Sequence, residues 1–334
     1  MMSFNINRRS FTSLAASVPL SGLGQFALAQ AAFPIRPIKC LVPFPAGGTL
    51  ELIGRHVGQR VQAQLGQPLV FENKPGAAGQ LAASIAARAP ADGYNLLLGN
   101  DPAFSIIPAL GTPMQFNPET DFAPVSLLCQ ASLALVTASD FPARNLQELV
   151  TYAKANSGKI AYASAGIGSQ HHIAMERFIG KVGIEMIHVP YQGIAPAFNS
   201  LLAGDTKILF AALTLPLPHI ATGKVKALAV TGAQRHPLLP AVPTFMEQGI
   251  ADYVISAWFG MFAPAATPAA IVKHMSSVVW AAVSSKDFID NVLLKIGFEL
   301  NSAITPERFA AFLREDRQRW KESVAQIDPK KLVQ

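Results

Sequence analysis

The chain has 334 residues, half of them apolar and only 14% charged, with a formal net charge of +6. That length suits two domains at about 150 residues each, and that composition excludes general disorder. Basic residues are scattered, with small clusters only at 314–321 and at Lys330-Lys331, so nucleic-acid binding is excluded as a main function.

The chain opens with MMSFNINRRSFTSLAASVPLSGLGQFALAQA. A basic start, a mildly apolar run and Ala27-Leu28-Ala29 read as a secretory signal peptide over residues 1–29, with cleavage leaving 305 residues. Arg8-Arg9-Ser10-Phe11 reads as a twin-arginine signal, the rival being an ordinary secretory signal with an incidental Arg pair. The expected location is the periplasm. Pro19, Gly22 and Gly24 break the apolar run, and the rest of the chain has no run of 18 apolar residues, so a soluble protein is expected. Cys40 and Cys129 each sit in an apolar, strand-like run and are expected as buried thiols rather than a disulfide.

From Ile38 the pattern alternates strand and helix. IKCLVPF (38–44) reads as a buried strand. Leu50, Ile53, Val57, Val61 and Leu65 then mark one helix face. PLVFEN is the next strand, a helix follows over Gln80–Arg88, and NLLLG is a third strand. This βα repetition predicts parallel sheet covered by helices. After a proline-rich stretch (101–124), the run 125–138 is too long for an ordinary strand and reads as one crossing between domains.

A second βα series follows. It comprises a helix capped by Asn145, the strand KIAYASAG, the helix SQHHIAMERFIGKVG, the strand EMIHVPY, the helix APAFNSLLAG, and the strands TKILFAA and KVKALAVTG. Residues 253–264 read as the return crossing. Helices at 268–285, 286–296 and 306–325 close the chain, the last opened by Thr305-Pro306-Glu307. The expected fold is α/β and bilobed, two βα domains joined by crossing strands: residues 30–130 with 258–334, and 131–257.

Four glycine loops, FPAGGT (44–49), KPGAAG (74–79), SAGIGS (164–169) and YQGIA (191–195), each follow a strand and enter a helix. Such loops form the ligand crevice of open α/β sheets, where helix N-termini favour anions. Glycine is also common in βα turns for backbone geometry alone; the recurrence, two loops in each half, points to a shared ligand. Nucleotide motifs fail: GxxxxGK[ST] and a complete GxGxxG fingerprint are both missing. A GxSxG elbow is missing around Ser164 and Ser169, and Ser169 near His171 does not make a triad. HExxH is missing and His171-His172 diverge on a helix, so no metal and no cofactor are expected. His172 reads as a polar surface residue. Trp258, Phe259 and Phe262 read as core, with room for one aromatic to face the cleft.

Taken in order, PIRPIKCLVPFPAGG, LGQPLVFENKPGAAG, ADGYNLLLGN, YASAGIGSQHHIAMERF, IHVPYQGIAPAFNSLLAGD and KVKALAVTGAQRHPLLPAVPTFMEQG resemble the Bug receptors, the periplasmic substrate-binding proteins of tripartite tricarboxylate transporters. The resemblance runs from about Phe33 to the C-terminus. It implies a type II periplasmic-binding (Venus flytrap) fold, a monomeric receptor without catalytic activity, and a carboxylate ligand passed to the transporter's membrane components. Alternatives are a ligand-sensing partner of a membrane kinase and an exported enzyme using the same cleft. The ligand-binding residues it implies are Phe44, Ala46, Gly47 and Gly48; Gly76, Ala77 and Gly79; Asp101 and Phe104 on the strand-end segment; Ser164, Ala165, Gly166, Gly168, Ser169 and His171; and Tyr191 with Gly193.

The chain departs from the family pattern in places. Glu51 stands where Asp is usual, within reach of Arg55 at i,i+4 and of a ligand ammonium, and Lys207 stands where an acidic residue is frequent. Phe210-Ala211-Ala212-Leu213 lacks a polar residue often seen there. With Phe44, Phe104 and His171 nearby, this apolar floor suggests an aromatic carboxylate or dicarboxylate.

Overall fold

The computed structural model describes residues 33–44, 46–300 and 305–332. The expected signal peptide lies outside them. The first half opens with β1 (Ile38–Val42), α1 (Thr49–Leu65), β2 (Leu69–Asn73), α2 (Gln80–Ala87) and β3 (Asn95–Asn100). β1 pairs in parallel with both β2 and β3. Alternation along β1 sends Ile38, Cys40 and Val42 to a core under α1, and Leu41 to a core under α2. The proline-rich stretch is partly helical: a wide turn at Pro102–Ile106 runs into a single turn, α3 (Ile107–Ala109).

β4 (Phe122–Ala138) is the 17-residue strand expected as a crossing. It is followed by α4 (Leu146–Ala155), β5 (Ala161–Ser164), α5 (Gln170–Val182), β6 (Ile187–Pro190), α6 (Ile194–Ala203), β7 (Ile208–Ala212), α7 (Leu217–Ala221) and β8 (Val225–Val230). Asn145 caps α4, accepting the Glu148 N–H at 2.8 Å. β9 (Ser256–Pro264) returns to the first half. α8 (Ala269–Val283), α9 (Lys286–Phe288), further helical turns to Ile296, and α10 (Pro306–Ala325) complete the chain. Thr305 caps α10, accepting the Arg308 N–H at 3.3 Å.

The strand order is β2-β1-β3-β9-β4-β7-β5-β6, with β8 also on β4. Each half is a parallel βα sheet, as the repeats predict, but the joins are antiparallel: β3–β9, β9–β4, β4–β7 and β4–β8. From Phe122 to Ser132, β4 pairs with β9. From Leu133 onward it pairs with β7, and from Ala134 onward also with β8. Cys40 and Cys129 are buried free thiols, as expected.

Thr231 ties the crossing point together. Its Oγ accepts the Leu133 N–H at 2.9 Å and donates to the Ile255 carbonyl, while its backbone N–H donates to the Leu133 carbonyl at 2.8 Å and its carbonyl accepts the Ile255 N–H at 3.1 Å. α10 spans the crossing as well: Phe309 and Leu313 pack into a first-half core, Trp320 into the principal core of the second. The C-terminal segment therefore contributes to both halves. Replacing Thr231 by Val keeps the shape but orphans a buried N–H and a buried C=O. Urea denaturation should show a loss of about 1–3 kcal/mol; an unchanged midpoint would mean the clasp carries no stability.

Candidate functional site

A cavity of about 870 Å³ opens between the halves at the carboxyl ends of the parallel strands. Thr49 brings the N-terminus of α1 to it from the first half. Ser169, Gln170 and His171 bring that of α5, and Gly193, Ile194 and Ala195 that of α6, from the second. These helices have 17, 13 and 10 residues, and the first N–H groups of each lack intrahelical acceptors. Ser169 caps α5 by accepting the His172 N–H at 3.3 Å, while α1 and α6 start at glycines with no side-chain cap. Their positive ends suit an anion.

The floor is apolar: Leu133 from β4, Ala257 and Phe259 from β9, Ala212 at the end of β7, and Phe298. Phe259 and Phe298 stack with centroids 5.5 Å apart. Among the described lining residues, only Asp101 and His171 are ionisable. Burial lowers His171 to about 4, so it is neutral at pH 7. A second cavity, of about 610 Å³, lies behind the crossing strands and is lined by polar residues including Gln130, Ser132, Glu299 and Arg319. None of these helix N-termini reaches it, so the first cavity is the candidate site.

Of the residues expected from the sequence, the fold brings Phe44, Ala77, Asp101, Ala165, Gly168, Ser169, His171 and Gly193 to the cavity wall. Others sit behind it. Ser164 is fully buried; its Oγ accepts the Gly166 N–H at 3.1 Å and lies 2.6 Å from His188 Nε2. Gly166, at φ +119°, lets the Tyr191 carbonyl approach, and Tyr191 donates its N–H to the Ser164 carbonyl at 3.0 Å. These residues shape the second-half loops. Gly79, at φ +101°, lets Asn100 Oδ1 come within 2.8 Å of where a Cβ would stand. The Gly76 carbonyl accepts the Gly79 N–H at 3.0 Å. Ala46 and Gly48 are not among the lining residues.

Three expectations are corrected. Phe104 is not at the cleft: it is fully buried, stacked on Phe262 at 4.1 Å beside Phe122. Phe259 is the aromatic that faces the cavity. Gly47 does not offer its N–H to a ligand, because Glu51 Oε2 accepts it at 2.9 Å. Glu51 also accepts from Arg55 Nε at 2.8 Å and Asn73 Nδ2 at 3.1 Å, so it braces the loop rather than awaiting an ammonium. His172 is no surface residue: it is fully buried, its Nδ1 accepts the Gly168 N–H at 3.1 Å, and its ring stacks on His188 at 4.1 Å. Burial, reinforced by the charges of His188 and Lys331, lowers its pKa to about 3.

Asn100, Ala78, Gln170 and Thr214 also line the cavity, and the sequence reading did not single them out. Ala77 and Ala78 adopt φ +46° and +53°, a left-handed backbone that alanine rarely takes. Their strain sits at the cavity wall, where such outliers tend to cluster.

The comparisons agree with this architecture. A family model described as "Tripartite tricarboxylate transporter family receptor" matches residues 53–328. The chain belongs to this receptor family. It is 32% identical to the protein BugT of Bordetella pertussis over 293 residues, covering 86% of this chain and 88% of BugT. Among solved structures, an R. palustris protein with adipate superposes with TM-score 0.80 at 30% identity, covering 88% of this chain and 98% of that one. MatC from Rhodopseudomonas palustris, with bound malate, gives TM-score 0.76 at 30% identity, over 87% and 100%. The periplasmic binding protein BugD gives 0.75 at 34%, over 87% and 97%. The family is one of solute-binding receptors rather than enzymes. No helix among the described residues is long and apolar enough to cross a membrane.

The bracing of the first loop is testable. Arg55, with the Gly47 and Asn73 donors, holds Glu51 below the usual glutamate range. Its contribution is therefore present above an ordinary glutamate pKa of about 4.3 and lost as pH falls through the lower folded value. Glu51→Ala should cost about 1–3 kcal/mol near pH 7. The gap from wild type should narrow on acidification below pH 4; a gap independent of pH would contradict an ionic role.

Proposed function

We propose that this receptor captures a small carboxylate between its two halves in the periplasm and delivers it to the membrane components of a tripartite tricarboxylate-type transporter. The observation that carries the reading is the convergence of the N-termini of α1, α5 and α6 on one cavity lacking lysine and arginine among its described lining residues. An anion there is stabilised by backbone N–H groups and helix dipoles. Relatives solved with adipate and malate support a carboxylate as the class. The N-terminal segment supports export, with Arg8-Arg9 suited to the twin-arginine route. The two halves are the two proposed domains, and the crossing strands are the hinge about which they close.

The stacked Phe259 and Phe298, with Phe44, favour a ligand with an aromatic or extended apolar body over a compact polyacid. Thermal melting of the mature protein with benzoate, adipate, malate and citrate tests this. Ligand at 100 times its Kd should add about 2.7 kcal/mol of stability and be recovered chemically unchanged. No shift with any acid would contradict the receptor reading; a shift with citrate or malate while benzoate is inert would contradict the apolar preference.

A further inference from the structure

Two backbone donors of the loop that opens α5 are held by side chains from behind the cavity wall. Gly166 donates its N–H to Ser164 Oγ at 3.1 Å, and Gly168 donates its N–H to His172 Nδ1 at 3.1 Å. Both acceptors meet at His188 on β6. Its Nε2 lies 2.6 Å from Ser164 Oγ, and its ring stacks on that of His172 at 4.1 Å and within 5° of parallel. Tyr162 of β5 also stacks on His188, at 4.9 Å, and donates its hydroxyl to Glu176 at 2.6 Å. Glu176 in turn pairs with Lys331, near the C-terminus, at 2.8 Å. Neither His188 nor Ser164 is among the described lining residues, and Ser164 is fully buried, so their close contact is no hydrolytic pair.

We infer that His188 is a positioning residue for ligand binding: from behind the wall, one imidazole fixes both glycine amides of this loop and, through them, the anion-facing first turn of α5. The inference rests on the carboxylate reading above for its ligand. His172 Nδ1 accepts a hydrogen bond, so it carries no proton, and the stack on His188 keeps it aimed at Gly168. Ser164 Oγ either donates to His188 Nε2 or accepts from it. In both arrangements it is held with a lone pair toward the Gly166 N–H. The Gly166 carbonyl accepts the Ser169 N–H at 3.1 Å, and Ser169 Oγ accepts the His172 N–H at 3.3 Å. The N–H groups of Gln170 and His171 are the ones this leaves for an anion at the start of α5. Donors held in place before the ligand arrives bind it more tightly than donors that binding must order.

Two measurements on the mature protein test this: calorimetry with whichever of benzoate, adipate, malate and citrate binds wild type, and amide hydrogen exchange without ligand. In His188→Ala, affinity should fall about tenfold or more, and both Gly166 and Gly168 should exchange about tenfold faster or more. His188→Phe keeps the stack but not the Ser164 contact, so Gly166 alone should lose protection. His188→Gln returns an amide to the place of Nε2 and should restore the protection of Gly166. Unchanged affinity in His188→Ala, or glycines as protected as in wild type, overturns the inference. So do equal losses at both glycines in all three variants, which would mean a general loosening of the fold. Should His188→Ala fail to fold, the contrast between Phe and Gln at Gly166 decides. If none of these acids binds wild type, it is the carboxylate reading that fails, and exchange at the two glycines decides the role of His188 by itself.

Discussion

β4 belongs to both sheets at once. Its 17 residues hydrogen-bond to β9 as far as Ser132 and then to β7 and β8 from Leu133 and Ala134, spanning roughly 55 Å at the usual rise per residue. The two parallel sheets are therefore held in one register, and the carboxyl ends of their strands open onto a common cleft. Thr231 bonds both to β4 at the switch and to Ile255, just before β9, so the outgoing and returning chains pass through one clasp. α10 adds a third link, with Phe309 in one core and Trp320 in the other.

The electrostatics follow from that placement. Three helix starts supply positive potential where the described lining residues include no lysine or arginine, so on the proposed reading a carboxylate would be held by backbone groups. The side chains behind the wall keep those backbones in place: Glu51 grips the first loop, Ser164 and His172 grip the loop before α5. Selectivity is left to the few side chains on the wall itself. The apolar floor of Phe259 and Phe298 is the most prominent of these, and it suits a broad or extended body.

Much of this was legible in the sequence. Alternating strand and helix periods placed the two βα series, and the unusual length of 125–138 marked β4 as a strand shared by two sheets. Asn145 and Thr305 marked helix starts because capping is a local interaction. What failed was orientation. Phe104 and Phe259 are equally aromatic, and only the wide turn at Pro102–Ile106 and the pairing of β9 send one to the core and the other to the cavity. Gly47 looked like a free donor because its acceptor, Glu51, lies four residues on and returns only when the loop is folded. His172 looked like a surface residue because its companion, His188, is contributed by β6, an element distant in sequence.

The most direct test is a crystal structure of the mature protein grown with whichever carboxylate most raises its melting temperature. The carboxylate is expected within hydrogen-bonding distance of first-turn N–H groups of α5 and α6, among residues 169–171 and 193–195, with its body over Phe259 and Phe298. A carboxylate held instead by a lysine or arginine side chain, or lodged in the polar cavity behind the crossing strands, would contradict a site built from helix N-termini.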